Sequence, residues 1–304
     1  MSTRPIEVGI MLPESEWEMA GQTARWSDFA AMAEAIEENG FDSLWFADHL
    51  QMTLPDGRTQ GAWEAWSILA AFAATTKRIE IGPFVSPTAY RNPAMLVKAA
   101  ETVDEISGGR FVFGIGSGWA EKEYEVYGLP FDHRATRFEE ALEIVTSLVR
   151  EGEIDFHGTY YTINHAVNRP RGPRPHGMPI MIGTFSGERM MRLTAKSADH
   201  WNIWANASGN RAATLEPIER QMDTYCREAG RDPKSLKRSA AVYVDFEGAY
   251  GRPGQPVPSL VGTARELADE YLRYAEAGVD LIQLYPDPCT VEGIKRCAEA
   301  VALL

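Results

Sequence analysis

Short apolar runs alternate with longer amphipathic stretches from one end of this chain to the other. The first helical stretch, 27–39, places Phe29, Met32, Ala33 and Ile36 on one face, and Gly40 follows at the position where helices end. Next comes Ser43-Leu44-Trp45-Phe46-Ala47, an apolar run too short for a helix and bounded by polar residues, which reads as a buried strand. The same grammar predicts strands over 6–12, 43–47, 78–85, 110–116, 179–183, 200–204, 236–244 and 279–285. Helices are predicted over 62–75, from Pro93 onward, over 134–150, 188–197, 211–229 and 263–277, and from the last strand to the end of the chain.

Eight strands, each followed by a helix, predict an α/β fold of the (β/α)8 TIM-barrel type, in one domain covering 1–304. Two tracts without helical period, 151–177 and 247–258, are read as loop insertions, the first containing a short hairpin. A doubly wound sheet is the rival fold. Its nucleotide fingerprint would follow the first strand, where Met11-Leu12-Pro13 has no glycine.

Composition narrows the function. With 44% hydrophobic residues the chain can bury a large core, and its formal net charge of −13 argues against nucleic acid or an anionic membrane as partner. No apolar run reaches the roughly 18 residues of a membrane helix, and residues 1–7 lack a signal-peptide core. Cys226, Cys289 and Cys297 have neither metal-ligand nor disulfide spacing, and His157, His165 and His176 are scattered through a loop. A reduced, cytoplasmic protein without a metal is expected.

In a barrel, chemistry sits at the C-terminal ends of the strands. Those ends carry Asp48-His49, Ser86-Pro87, Gly116-Ser117-Gly118-Trp119, Gly183-Thr184-Phe185-Ser186-Gly187 and Tyr285-Pro286-Asp287. Two are glycine/serine turns, and the second leads into a helix whose free N–H groups suit a phosphate. On residue type alone, Asp48 also reads as a loop cap, His49 as a packed ring and Gly-Ser-Gly as a tight turn.

Taken together, these segments resemble the luciferase-like oxidoreductase superfamily, and within it the branch dependent on coenzyme F420. The matching stretches are Gly40 through His49, Tyr90-Arg91-Asn92-Pro93-Ala94, Gly108 through Trp119, Tyr127-Gly128 before Arg137 through Ile144, Gly187-Glu188-Arg189 leading into Ala198 through Asn202, and Val261-Gly262-Thr263. The resemblance implies a TIM barrel holding F420, or alternatively FMN, without a covalent bond. It implies a hydride transfer to or from a small organic substrate, with His49 as acid/base and Asp48 orienting that ring or meeting the cofactor. It also implies a bulge with a non-prolyl cis peptide on or near Phe84-Val85. Cofactor contacts are expected from Asp48, Phe84, Val85, Ser86, Gly116, Ser117, Gly118, Lys122, Gly183, Thr184, Ser186, Gly187 and Arg189. The alternative activity is an FMN-dependent monooxygenase served by a separate reductase; a barrel that only binds the cofactor is a third reading. A homodimer is expected. Trp119 stands where the F420-dependent sugar-phosphate dehydrogenases have an acidic residue, which counts against sugar-phosphate oxidation, and Lys122 replaces an amide common at that turn.

Overall fold

The computed structural model describes residues 4–184, 187–252 and 257–304. Its main sheet contains β1 (Glu7–Met11), β2 (Ser43–Phe46), β3 (Glu80–Pro83, resuming as Ser86–Pro87), β4 (Phe113–Gly116), β5 (Ile180–Gly183), β6 (His200–Trp204), β7 (Lys237–Asp245) and β8 (Leu281–Asp287). All neighbours are parallel, in the order β3-β2-β1-β8-β7-β6-β5-β4, and β4 returns to β3 through Ser86↔Ile115, Pro87↔Gly116 and a bridge from Ile81 to Phe111. The sheet therefore closes into a TIM barrel, with helices α1 (Trp26–Glu38), α2 (Ala65–Thr75), α3 (Pro93–Ser107), α4 (Glu121–Tyr127), α5 (Arg134–Arg150), α6 (Glu188–Ser197), α7 (Glu216–Glu228), α8 (Ala264–Glu276) and α9 (Val291–Val301).

Four departures from the reading of the hydrophobic pattern bear on the site. The third strand is not continuous over 78–85, because it breaks at Phe84-Val85, whose peptide is cis, at the place the family resemblance implied. The stretch before α2 holds a hairpin, Gln51–Thr53 with Thr59–Gly61, and α4 was not predicted because seven residues are too few for a period to show. The last strand, β8, runs two residues further than 279–285 suggested, and α9 begins four residues after Asp287. The 151–177 insertion does contain a hairpin, Glu153–His157 with Thr162–Val167. The arginine-rich tract after it is pinned to the barrel, since Arg174 donates to the Phe111 carbonyl at 2.9 Å.

The strands are apolar on both faces because both are covered. Outside, they pack on the helices. Inside, Met11, Trp45, Phe84, Val112, Met181, Ala241, Tyr243, Leu281 and Tyr285 form a separate cluster. Trp45 is fully buried there, and glycines make its room. A Cβ on Gly9 would sit 2.8 Å from its Nε1, and one on Gly82 would sit 2.8 Å from Cζ3. Its indole N–H donates to Ser43 Oγ at 2.8 Å. Filling the barrel in this way seals its middle and leaves the mouth as the place for chemistry.

Candidate active site

Asp48 and His49 follow β2 directly, and adjacent residues leaving a strand diverge. Asp48 turns inward and is 1% exposed. Its Oδ2 accepts from Ser86 Oγ at 2.5 Å, Trp66 Nε1 at 3.2 Å and Arg91 Nη1 at 2.6 Å, and Oδ1 accepts from Arg91 Nη2 at 3.1 Å. Arg91 reaches it because α3 begins two residues later: Asn92 caps that helix by accepting from Ala94 N–H at 3.0 Å, and Pro93 opens it. These bonds tie β2 to β3 and to the start of α3, and the His49 ring is oriented by a hydrogen bond to another carboxylate.

The orienting carboxylate is Glu123. Its Oε2 lies 2.8 Å from His49 Nδ1 and accepts from the Tyr90 hydroxyl at 2.7 Å, while Oε1 accepts from Leu50 N–H at 2.6 Å and Gln51 N–H at 3.0 Å. Glu123 is 2% exposed and the His49 side chain 13%. Burial by itself would push the imidazole pKa down. The hydrogen bond to Glu123 and the fields of Glu14, Glu123 and Asp48 outweigh burial and raise it to about 9. Burial pushes the Glu123 carboxyl up, but the bonds from His49, Gln51 and Tyr90 bring it below the usual range. At neutral pH the pair is an imidazolium and a carboxylate. Tyr124, fully buried between Tyr90 (5.0 Å) and Phe131 (5.1 Å), anchors α4 so that Glu123 meets the histidine. Trp119 meets the His49 ring edge to face at 5.6 Å.

Neither Glu123 nor Tyr90 was singled out from sequence for a role, nor was Arg91 beyond its place in a matching segment. Glu123 stands next to Lys122, which was. On α4 the two neighbours diverge: Lys122 is exposed and pairs with Glu125 at 2.8 Å.

The other expected cofactor residues gather on the rim between β3 and β5. Val85 touches both facing strands: a Cβ on Gly116 would lie 2.8 Å from its Cγ2, and one on Gly183 3.2 Å. Phe84 points into the barrel and meets Trp204 at 5.4 Å, and Trp204 meets Tyr243 at 5.0 Å, so an aromatic row crosses the floor of the mouth. Thr184 N–H donates to the Asn202 carbonyl at 3.0 Å. Gly118 has φ +75°, and a side chain there would collide with the Tyr124 ring. Gly187 caps α6 with φ +84° and open space where a Cβ would be. Arg189 is paired with Glu139 and donates to Thr136 Oγ1 at 3.0 Å. Ser186 lies outside the described residues. One cation was missed: Arg134 donates to the Gly118 carbonyl at 2.6 Å, lies 4.4 Å over the Phe131 ring, and has no carboxylate partner among the described residues.

On the other side of the mouth is a cavity of about 240 Å³ lined by Glu14, Trp17, Leu54, Tyr243, Tyr250 and Tyr285, among others. Burial and the neighbouring Glu18 raise the Glu14 carboxyl to about 7. Its field reaches His49, which links the cavity wall to the histidine centre.

A closed parallel barrel with a histidine–carboxylate pair and a glycine-lined cradle at one rim has its polar machinery where barrel enzymes carry theirs. Residues 6–245 match the family model described as luciferase-like monooxygenase, and the chain belongs to that family. An uncharacterised protein of Mycobacterium tuberculosis is 28% identical over 82% of this chain and 84% of its own length. An F420-dependent glucose-6-phosphate dehydrogenase of Kineococcus radiotolerans is 36% identical over 73% of this chain and 64% of that enzyme. Among solved structures, an F420-dependent secondary alcohol dehydrogenase superposes with a TM-score of 0.81 at 20% identity, covering 98% of both chains. A riboflavin lyase carrying modified FMN superposes with 0.83 at 16% identity, covering 99% of this chain and 91% of that one. The chain's sequence relatives thus include an F420-dependent enzyme, and its fold is shared by an F420-dependent and an FMN-carrying enzyme.

Proposed function

We propose that this chain transfers a hydride from reduced coenzyme F420 to a small organic substrate, with His49 delivering the accompanying proton. The observation that carries this reading is the His49–Glu123 pair, a buried-side imidazolium held by a carboxylate at the barrel mouth. A hydride acceptor such as a carbonyl becomes an alkoxide unless a proton arrives, and a charged, oriented imidazole is a suitable donor.

The residues present fit a flat, phosphorylated cofactor. Gly116 and Gly183 present backbone beside Val85, Gly187 leaves open space at the start of a ten-residue helix, and Arg134 stands by the Ser117-Gly118 turn without a carboxylate among the described residues. Phe84, Val85, Ser86, Thr184, Gly187, Lys122 and Arg189 would hold the group. When bound, the deazaflavin supplies two electrons as a hydride. The protein's part is to position and to move the proton. Glu123 holds His49 in one tautomer and keeps it charged, Tyr90 holds Glu123, and Asp48 fixes Ser86 and Arg91 beneath the rim.

Titrating the purified protein with F420 and with FMN, followed by absorbance, tests the reading; F420 is expected to bind at least tenfold tighter. FMN binding without F420 affinity would promote a monooxygenase supplied by a separate reductase, a reading favoured by the likeness to the riboflavin lyase. Among the described residues no helix is long and apolar enough to cross a membrane, and we place the protein in the cytoplasm. The exposed Met95 and Ile106 on α3 mark the surface we assign to a homodimer, to be checked by light scattering.

A further inference from the structure

The cavity beside Glu14 is unlike a site for a charged metabolite. Arg252, the cation deepest in its wall, is consumed: it donates to Asp245 Oδ1 at 2.5 Å and to the Tyr285 carbonyl at 2.7 Å. Its guanidinium also covers the Tyr243 and Tyr285 rings at 4.5 and 5.2 Å, so the faces that would stack on a ligand cation already hold one. Arg58, the other lining cation, is paired with Asp56 at 2.8 Å. Glu18 is used up by the Tyr285 hydroxyl at 2.6 Å, Ser15 Oγ at 2.8 Å and Glu14 N–H at 2.7 Å. Asp287 accepts from Gly251 N–H at 2.8 Å and Tyr250 N–H at 3.1 Å.

Inside the exposed Trp17 and Tyr250, two polar groups of the wall differ. Neither the Tyr243 hydroxyl nor the Glu14 carboxyl makes a side-chain hydrogen bond to the described residues, and both line the cavity. Around them the surface is Trp17, Met52, Leu54, Tyr250 and Gln60, whose amide donates to the Glu16 carbonyl at 2.6 Å. Tyr243 is a phenol whose pKa burial pushes above its ordinary value, so it donates throughout the useful pH range.

From this wall we infer that the substrate is an uncharged, flat and mainly apolar carbonyl compound, its oxygen bonded by the Tyr243 hydroxyl and its body lying between the aromatic side chains. The inference rests on the hydride-transfer reading only in placing the substrate in this cavity. Among the described residues no unmatched cation is offered to a phosphate or carboxylate, and an ammonium would meet the Arg252 guanidinium already lying over the Tyr243 and Tyr285 rings, with only the Glu14 carboxyl left to pair with it. A molecule with many hydroxyls would leave most of them unsatisfied.

The test uses the full chain without cofactor and saturation-transfer NMR with four probes: acetophenone, benzoate, benzylamine and glucose 6-phosphate. Acetophenone is expected to bind at least fivefold tighter than each of the others. Tyr243→Phe, which removes one oxygen and is checked for an unchanged melting curve, is expected to weaken acetophenone three- to tenfold. Met52→Arg, which adds an unmatched cation to the wall, is expected to bring benzoate level with acetophenone. Equal or tighter binding of any charged probe to the wild-type chain, or acetophenone affinity unmoved by Tyr243→Phe, overturns the inference. Because no cofactor is present, a failure to transfer hydride leaves this result standing. Turnover with F420 confined to anionic substrates would sink the inference and keep the hydride reading.

Discussion

His49 Nδ1 and Glu123 Oε2 lie 2.8 Å apart although 74 residues separate them in the chain. One follows β2; the other sits on a short helix that follows β4. Parallel strands place both at the same rim, and the Tyr124 anchor closes the last few ångströms. The pair explains why a largely buried histidine is cationic, since burial alone would have made it neutral.

Removing that partner should uncharge the ring. In Glu123→Gln the His49 pKa is expected to fall from about 9 to near or below its ordinary 6.5, because the raising hydrogen bond and field are lost while burial stays. Side-chain 15N NMR titration reads this directly. A His49 that still titrates near 9 in the variant would remove Glu123 from the mechanism.

The pH dependence has a definite sign. The folded pKa is raised, so stabilisation by the charged ring is complete below about pH 6.5 and disappears as pH rises through about 9. Substrate reduction, which needs the protonated ring, should be level from pH 7 to 8 and decline above 9 in stopped-flow measurements with reduced F420. A rate that climbs across that interval would make His49 a base and reverse the direction we propose.

His49→Gln retains polarity and volume but has no titratable proton. Cofactor affinity should be preserved and turnover cut on the order of a hundredfold or more, the loss typical of general-acid catalysis. Steady-state kinetics with normal rates would reduce this histidine to a packing residue.

Asp48→Ala tests the reassigned carboxylate. It leaves Ser86 and Trp66 without their acceptor and takes one of the two carboxylates from Arg91, which keeps Glu64 at 2.7 Å. Two buried donors left unsatisfied cost about 1–3 kcal/mol each, so urea unfolding should shift to lower concentration. If stability is unchanged while F420 affinity collapses, Asp48 meets the cofactor after all.

Gly187→Val places a side chain in open space at the start of α6, so nothing is displaced. At φ +84° and ψ 108°, outside the left-handed helical well, a residue with a Cβ costs about 1–3 kcal/mol, which the barrel is expected to survive. F420 affinity should drop at least tenfold by fluorescence titration, since the cradle is narrowed. Undiminished affinity would put the phosphate elsewhere.

The order of strands and helices was legible in the sequence because burial writes a local period: every two residues or a continuous run in a strand, every three or four in a helix. Strand ends followed from the same signal, and with them the rim positions of Asp48, His49, Ser86, Gly116 and Gly183. The family resemblance carried the break at Phe84-Val85. Which side chain answers which was another matter. That Asp48 belongs to Arg91 and His49 to Glu123, that Arg134 stands unmatched beside Gly118, and that Glu14 joins the cavity to the histidine were decided only when the barrel closed. Electrostatic partners are chosen by distance in space, and no spacing along the chain encodes a contact between loops of different strands. Only the closed barrel brings those loops together at one mouth, where burial and neighbouring carboxylates then set the charge of a histidine.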